Sequence, residues 1–93
     1  MNVIYLRSFL NDIKKIKDKN LKSKVKDFIV ELEEAETIEA LASVRKLKGY
    51  SVAYRAKIKG YRVGIYYDSD IVELARLVKR NDIYKVFPKK GIS

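Results

Sequence analysis

The chain contains, from Tyr54 to Arg62, the sequence YRAKIKGYR, which is typical of two strands joined by a tight turn. Strand side chains alternate between the two faces of a sheet, so the apolar and the cationic residues of this stretch separate. A two-residue loop at Lys59 and Gly60 places Lys57 directly opposite Arg62. Like charges opposite each other destabilise a strand pair. The hairpin therefore predicts a sheet face that holds an anion, and the commonest anion that needs several cations is a nucleic-acid phosphate.

The charge of the chain is concentrated in the half that contains this hairpin. Residues 1–44 carry 8 basic and 8 acidic side chains, whereas residues 45–93 carry 13 basic and 4 acidic ones. The whole net charge of +9 therefore lies in the second half. A one-sided basic surface is typical of a protein that binds a polyanion.

Length and composition exclude several functional classes. A chain of 93 residues is expected to form one domain, residues 1–93, with one modest core. It has no cysteine and no histidine, which excludes disulfides, thiolate metal sites and nucleophile systems that use histidine as base. No metal or other cofactor is expected. Because no stretch resembles a signal peptide or a membrane span, we expect no membrane association and a cytoplasmic location.

The periodicity of apolar residues changes near Gly49, from helical spacing before it to strand alternation after it. This change predicts an α+β fold in the order β-α-α-β-β-β, with two N-terminal helices packed on one face of an antiparallel-rich, four-stranded sheet. The first half is predicted to contain a strand at Val3–Leu6 and a helix capped by Ser8, with Phe9, Ile13 and Ile16 inward. After a break at Lys19 and Asn20, a second helix has Leu21, Val25, Phe28, Ile29 and Leu32 inward, and a turn capped by Thr37 runs through Ile38, Leu41 and Val44. The second half is predicted to contain strands at 52–59, 61–67 and 71–79 and a last helical turn at 83–87.

The sheet face away from the helices is predicted to be uncovered and cationic. By alternation it carries Arg55, Lys57 and Arg62 as exposed side chains, and Tyr66 shares the face. Gly64 lies between Arg62 and Tyr66 and leaves room for a close approach. Cations beside an aromatic ring can hold single-stranded RNA, because phosphates meet the charges and bases stack on rings. Tyr66 is equally explained as a half-exposed strand residue.

Four short motifs, in this order, resemble the RelE/ParE superfamily of bacterial toxins from type II toxin–antitoxin pairs, and the RelE-like branch in particular. The resemblance covers nearly the whole chain. The motifs are Lys46–Gly49, Tyr54–Lys57, Gly60–Val63, and Lys79 and Arg80 followed by Tyr84.

The resemblance implies a ribosome-dependent endoribonuclease that needs no metal and cleaves messenger RNA by attack of a ribose 2′-hydroxyl on the adjacent phosphate. The matching catalytic positions are Lys57, Arg62, Arg80 and Tyr84. The implied phosphate- and RNA-binding positions are Arg55, Lys59, Lys79 and Tyr66. The best-known active members carry lysine at the position of Arg55, so the chain departs from their pattern there. The implied partners are a cognate antitoxin, in a possible hetero-oligomer, the ribosome and mRNA.

Other interpretations of the same residues stay open at this stage. Arg80 can pair with Asp82, and Tyr84 and Phe87 can both be core aromatics. The superfamily also contains ParE-like toxins, which share the fold but inhibit DNA gyrase. A third alternative is a noncatalytic RNA-binding domain that pairs with an antitoxin.

Overall fold

The computed structural model describes residues 1–88, which form an α+β fold. None of the helices in this part of the chain is both long and apolar enough to cross a membrane. The elements are β1 (Asn2–Tyr5), α1 (Arg7–Lys14), α2 (Lys19–Glu34), a 3-10 turn (Ile38–Ala40), β2 (Val44–Lys46), β3 (Ala53–Ile58), β4 (Tyr61–Asp68), β5 (Ile71–Lys79) and α3 (Ile83–Val86).

The strands of residues 1–88 form a five-stranded mixed sheet in the order β1-β5-β4-β3-β2. The predicted four-stranded sheet does not include β2, because the spacing of Ile38, Leu41 and Val44 predicts a helical turn there. Instead, Val44 to Lys46 pair antiparallel with β3, and Thr37 makes no side-chain cap for the 3-10 turn before them. A strand of three residues is too short to show a period of two, which explains the error.

The hairpin of β3 and β4 confirms the predicted register. Lys57 lies opposite Arg62, and Lys59 in the turn has a φ of 55°. Strand β5 is an inner strand, with β4 antiparallel on one side and β1 parallel on the other, and β4 is the middle strand of the five. The parallel pairing joins segments far apart in the chain, so no local pattern indicated it.

Helix α2 packs its apolar side chains on one face of the sheet and forms the main core there. Its buried residues are Leu21, Val25, Phe28 and Leu32, as predicted. The predicted break at Lys19 and Asn20 is wrong, because both residues begin α2. The cap is Asp18, whose carboxylate accepts hydrogen bonds from the N–H groups of Asn20 and Leu21.

Helix α1 completes the edge of β5 where β1 ends. The paired part of β1 reaches only to Leu74. Beyond it, the hydroxyl of Ser8 donates to the carbonyl of Ala75, and the N–H of Leu77 donates to Asp12 Oδ2 at 2.8 Å. Ser8 lies inside α1, so it is not the predicted cap; residue Leu6 is in that position. Two side chains one helical turn apart thus bond to a strand edge as a neighbouring strand would.

The Asp12 carboxylate also binds the guanidinium of Arg76. Arg76 Nε lies 2.7 Å from Asp12 Oδ2, and a terminal nitrogen of Arg76 lies 3.0 Å from Oδ1. Asp12 is buried, and the bond to its carboxylate raises the pKa of Arg76. The two-pronged contact therefore fixes α1 against the middle of the sheet.

Substitution Asp12→Ala is expected to lower the free energy of unfolding by about 3 kcal/mol, because it leaves a buried N–H and a half-buried guanidinium unpaired. Urea denaturation measures this loss. The control is Asp82→Ala, which removes an exposed ion pair to Lys85 at 3.4 Å and should change stability by less than about 0.5 kcal/mol. Equal losses in the two variants would contradict the proposed role of Asp12.

Candidate functional site

Cations face one another on neighbouring strands of the sheet face opposite α2. Arg62 on β4 lies across from Lys57, and Arg55 on β3 lies across from Arg45 on β2. Arg45 is exposed and was missed by the sequence analysis. The signal for it was present, since Arg45 precedes one of the motifs, but without β2 nothing indicated that it faces Arg55. The structure thus adds a cation to the predicted face.

Arg62 is not the exposed residue that alternation predicted. Its side chain is only 8% exposed, and one terminal nitrogen donates to the carbonyl of Lys59 at 3.1 Å and to that of Tyr61 at 2.8 Å. The guanidinium therefore lies over the β3–β4 turn and binds its backbone. Alternation gives the face on which a side chain lies, but burial depends on what else covers that face.

The surroundings of Arg62 disfavour its positive charge. Burial lowers the pKa of the Arg62 guanidinium, and the charges of Arg55 and Arg80 lower that pKa further. Tyr84 shifts the pKa of Arg62 in the opposite direction. Because a guanidinium stays protonated in proteins, the cost of this charge persists at all ordinary pH values. An anion bound among these side chains would offset the cost.

Arg80 is held beside the same turn by the backbone. Its N–H donates to the carbonyl of Gly60 at 2.9 Å. The alternative pairing with Asp82 is not observed within residues 1–88, where Asp82 pairs with Lys85 instead. An open cleft of about 420 Å³ lies between residues 59–62 and 79–81. Arg80 therefore lines this cleft together with Arg62.

Lys59 and Lys79 line the same cleft, but their side chains lie toward the other face of the sheet. The ammonium of Lys59 donates to Asn20 Oδ1 at 2.6 Å, so it is directed toward α2. Lys79 lies across from Tyr61, whose ring packs against the main core, and by alternation Lys79 shares the side of the sheet on which that ring lies.

Helix α3 covers the middle of the face that was predicted to be uncovered. Phe87 and Ile83 are buried in a second, smaller core against Ala53 and Ala75. Tyr84, on the same short helix, is 65% exposed. Phe87 is thus a core aromatic whereas Tyr84 is not. The buried side chains of Ile83 and Phe87 anchor the short helix, which holds Tyr84 near Arg62.

Tyr66 borders this second core. Its ring lies 4.9 Å from that of Phe87, centre to centre, at 47°. It is half-buried, and it lies on the same face as Arg62 because β3 and β4 pair without a shift in register. The close approach predicted at Gly64 is occupied by Phe87.

The site has the composition of an anion-binding surface with an aromatic group. Within residues 1–88, no three acidic side chains lie close enough together to hold a metal ion. Arg55, Arg80 and Tyr84 each lie within electrostatic reach of Arg62, and Lys57 is exposed across from Arg62. Such a group can bind a phosphate, stabilise added negative charge on it and stack a ring on an adjacent base.

Comparison with known proteins relates the chain to toxins. No family model matches it. Toxin RelE3 of Methanocaldococcus jannaschii is 29% identical over 89 residues, which are 95% of this chain and 100% of that protein. A chain in the RelB–RelE antitoxin–toxin complex from Methanococcus jannaschii is 26% identical with a TM-score of 0.77, covering 91% of this chain and 99% of that one. A chain in the intact Escherichia coli RelBE toxin–antitoxin complex, at 23% identity, shares the fold with a TM-score of 0.68 over 84% of this chain and 94% of that one.

Substitution Gly64→Ala is expected to displace Phe87 and with it α3, because the added Cβ would lie 2.6 Å from the ring. We expect a loss of about 2 kcal/mol in the free energy of unfolding, as for other overpacked cores. The control is Gly60→Ala, whose Cβ meets no atom within 4 Å. Thermal unfolding compares the two, and a Gly64 variant as stable as the Gly60 variant would contradict this packing.

Proposed function

The chain belongs to the RelE/ParE superfamily of type II toxins, and we propose that it inhibits translation as a ribosome-dependent endoribonuclease that cleaves messenger RNA. The observation that supports this activity is the convergence of Arg55, Arg80 and Tyr84 on the buried Arg62, which lines an exposed cleft together with Arg80. Lys57 on β3 lies directly across from Arg62. A buried guanidinium among further cations is destabilised in the free protein and stabilised by a phosphate. A structural role alone does not explain why so many cations are placed together.

The proposed reaction is attack of a ribose 2′-oxygen on the adjacent phosphorus. Lys57, in its neutral form, takes the proton of the 2′-hydroxyl as that oxygen forms its bond to phosphorus. The bond from phosphorus to the 5′-oxygen breaks, and the products are a 2′,3′-cyclic phosphate and a 5′-hydroxyl. We assign the role of base to Lys57 because it lies directly across from Arg62, and because a guanidinium cannot accept a proton.

The arginines of the site stabilise charge at different points of this reaction. Arg62 is oriented by two carbonyl groups, which leaves the rest of its planar fork for the oxygens of the pentacoordinate phosphate. Arg80 stabilises the leaving 5′-oxygen until solvent protonates it, and Arg55 binds the phosphate. Tyr84 orients the 2′-hydroxyl or stacks on a base. Lys59, Lys79 and Tyr66 contribute to RNA binding around this centre.

The proposed protein partner is a cognate antitoxin. The solved structures similar to this chain include complexes of a RelE protein with RelB. An acidic segment of such a partner would neutralise the half of the chain that carries the net charge of +9. The resulting hetero-oligomer keeps the toxin inactive. Because the target is the translating ribosome, the proposed site of action is the cytoplasm.

The first test is primer extension on a defined mRNA in a reconstituted translation reaction, with and without ribosomes. Wild type should produce new 5′ ends at A-site codons only when ribosomes are present. Lys57→Ala should reduce cleavage by about 100-fold or more, because it removes the base. The matched control is Lys26→Ala, an exposed lysine of α2, which should cleave as wild type does. Intact mRNA with a folded, growth-inhibiting wild type would overturn the proposal. It would favour a ParE-like toxin, which a gyrase supercoiling assay would test.

Two substitutions of Arg62 separate its charge from its shape. Arg62→Lys keeps the charge but loses the planar fork, so we expect about 100-fold slower cleavage with nearly unchanged stability. Arg62→Ala should lose cleavage and also some stability, since the carbonyls of Lys59 and Tyr61 lose a donor. Single-turnover rates and melting temperatures measured together test both statements. A fully active Lys variant would remove Arg62 from the reacting centre.

A further inference from the structure

A second cleft lies beside α3, at the end of the cationic face where β2 turns into β3. Its volume is about 410 Å³, within the range of roughly 300–1,000 Å³ that small ligands occupy. We call it the tyrosine cleft. It is lined by Leu47, Lys48, Tyr50, Tyr84, Phe87 and Pro88.

The lining of the tyrosine cleft suits a flat, partly apolar group. Leu47 and Phe87 are buried residues, whereas Tyr50 is 40% exposed and Tyr84 65% exposed. Lys48 is exposed and adds a positive charge. An exposed aromatic residue by itself is ordinary. Two of them lining one cleft, with buried apolar residues and a cation beside them, are the components of a stacking site for a nucleobase.

The loop that carries Tyr50 has a defined conformation. The N–H of Tyr50 donates to the carbonyl of Leu47 at 3.2 Å, and Gly49 has a φ of 88°. This pattern is a tight turn with glycine at the position that requires a positive φ. The N–H of Leu47 in turn donates to the carbonyl of Ala53 and ties the turn to β3. Backbone hydrogen bonds therefore fix the turn that carries Lys48 and Tyr50.

The tyrosine cleft continues the cationic face. Along β3, Ala53 lies beside the turn, Arg55 and Arg45 follow, and Lys57 and Arg62 come last. The distance from Ala53 to Lys57 is about 13 Å at the rise of a strand. Tyr84 belongs to both regions, since it lines the cleft and acts on the charge of Arg62. A single strand whose phosphate lies at Arg62 can therefore place a neighbouring base in the cleft.

We propose that the tyrosine cleft binds one unstacked base of the single-stranded RNA substrate, with Tyr50 as a stacking platform and Lys48 on the phosphate of that nucleotide. The proposal rests on the proposed function in its choice of RNA as ligand. It assigns binding roles to Tyr50 and Lys48, which are on the β2–β3 connection and outside the reacting centre. The site would select the base next to the cleaved bond by its shape and stacking strength.

The test is binding of a short single-stranded RNA, 2′-O-methylated at every ribose so that it cannot be cleaved, measured by fluorescence anisotropy without ribosomes. Tyr50→Ala should weaken binding about tenfold, and Tyr50→Phe should bind as wild type does, because stacking needs the ring only. The control is Tyr5→Ala, which removes a tyrosine of similar exposure on β1, the opposite edge of the sheet. Lys48→Ala should reduce the slope of log affinity against log salt by about 0.7.

A single abasic nucleotide moved along the RNA locates the base. At one position it should weaken wild-type binding about tenfold and leave binding by Tyr50→Ala unchanged, since the two changes remove the same contact. Additive effects at every position would overturn the proposal, as would absence of saturable binding by wild type. Unchanged RNA binding together with a weakened antitoxin complex would also overturn it, and would assign the cleft to a protein segment.

These outcomes are independent of the test of the proposed function. Tyr50-dependent binding without any cleavage on ribosomes would leave the base site standing and overturn the endoribonuclease. Cleavage that depends on Lys57, together with RNA binding that Tyr50→Ala does not weaken, would support the endoribonuclease and overturn the base site. Circular dichroism of each variant confirms that the comparison is made between folded proteins.

Discussion

The contact of the Phe87 ring with the backbone of Gly64 is the constraint on which the arrangement of the site depends. A Cβ at residue 64 would lie 2.6 Å from a carbon of the ring, so only glycine permits this approach. Through it, a helix of four residues, too short to be stable alone, is held against the sheet. Tyr84 is then placed near Arg62 with most of its surface in solvent. The same ring lines the tyrosine cleft, so one packing contact forms parts of both candidate binding regions.

The cationic face is an arrangement that folding by itself does not favour. Arg62 is buried and has two arginines near it, and Lys57 lies directly across from it. Each of these juxtapositions costs free energy in the unliganded protein. The apolar face of the same strands, with α2 upon it, supplies the compensating burial. Stability and binding are thus divided between the two faces of one sheet, which is possible because strand side chains alternate.

Strand β5 is supported by contacts with β1 and α1 that lie outside the candidate site. Strand β1 covers only the first part of the β5 edge, and the side chains of Ser8 and Asp12 satisfy backbone groups farther along it. Arg76 extends this network from the strand back to the helix. The last residues of β5 are then held in place, and Arg80, one residue beyond the strand, is tied by its N–H to the β3–β4 turn.

Local patterns in the sequence determined the hairpin, its register, the helix stripes and the side of the sheet on which Arg55, Lys57 and Arg62 lie, because these depend on period, parity and turn chemistry. The tertiary structure alone decided that β1 joins β5 in parallel, that Val44 begins a strand, and that Arg45 faces Arg55. It also decided that Arg62 is buried and that Phe87, but not Tyr84, enters a core. The physical reason is that pairing across distant segments and burial are properties of what lies opposite a residue, and alternation specifies only the direction in which its side chain points.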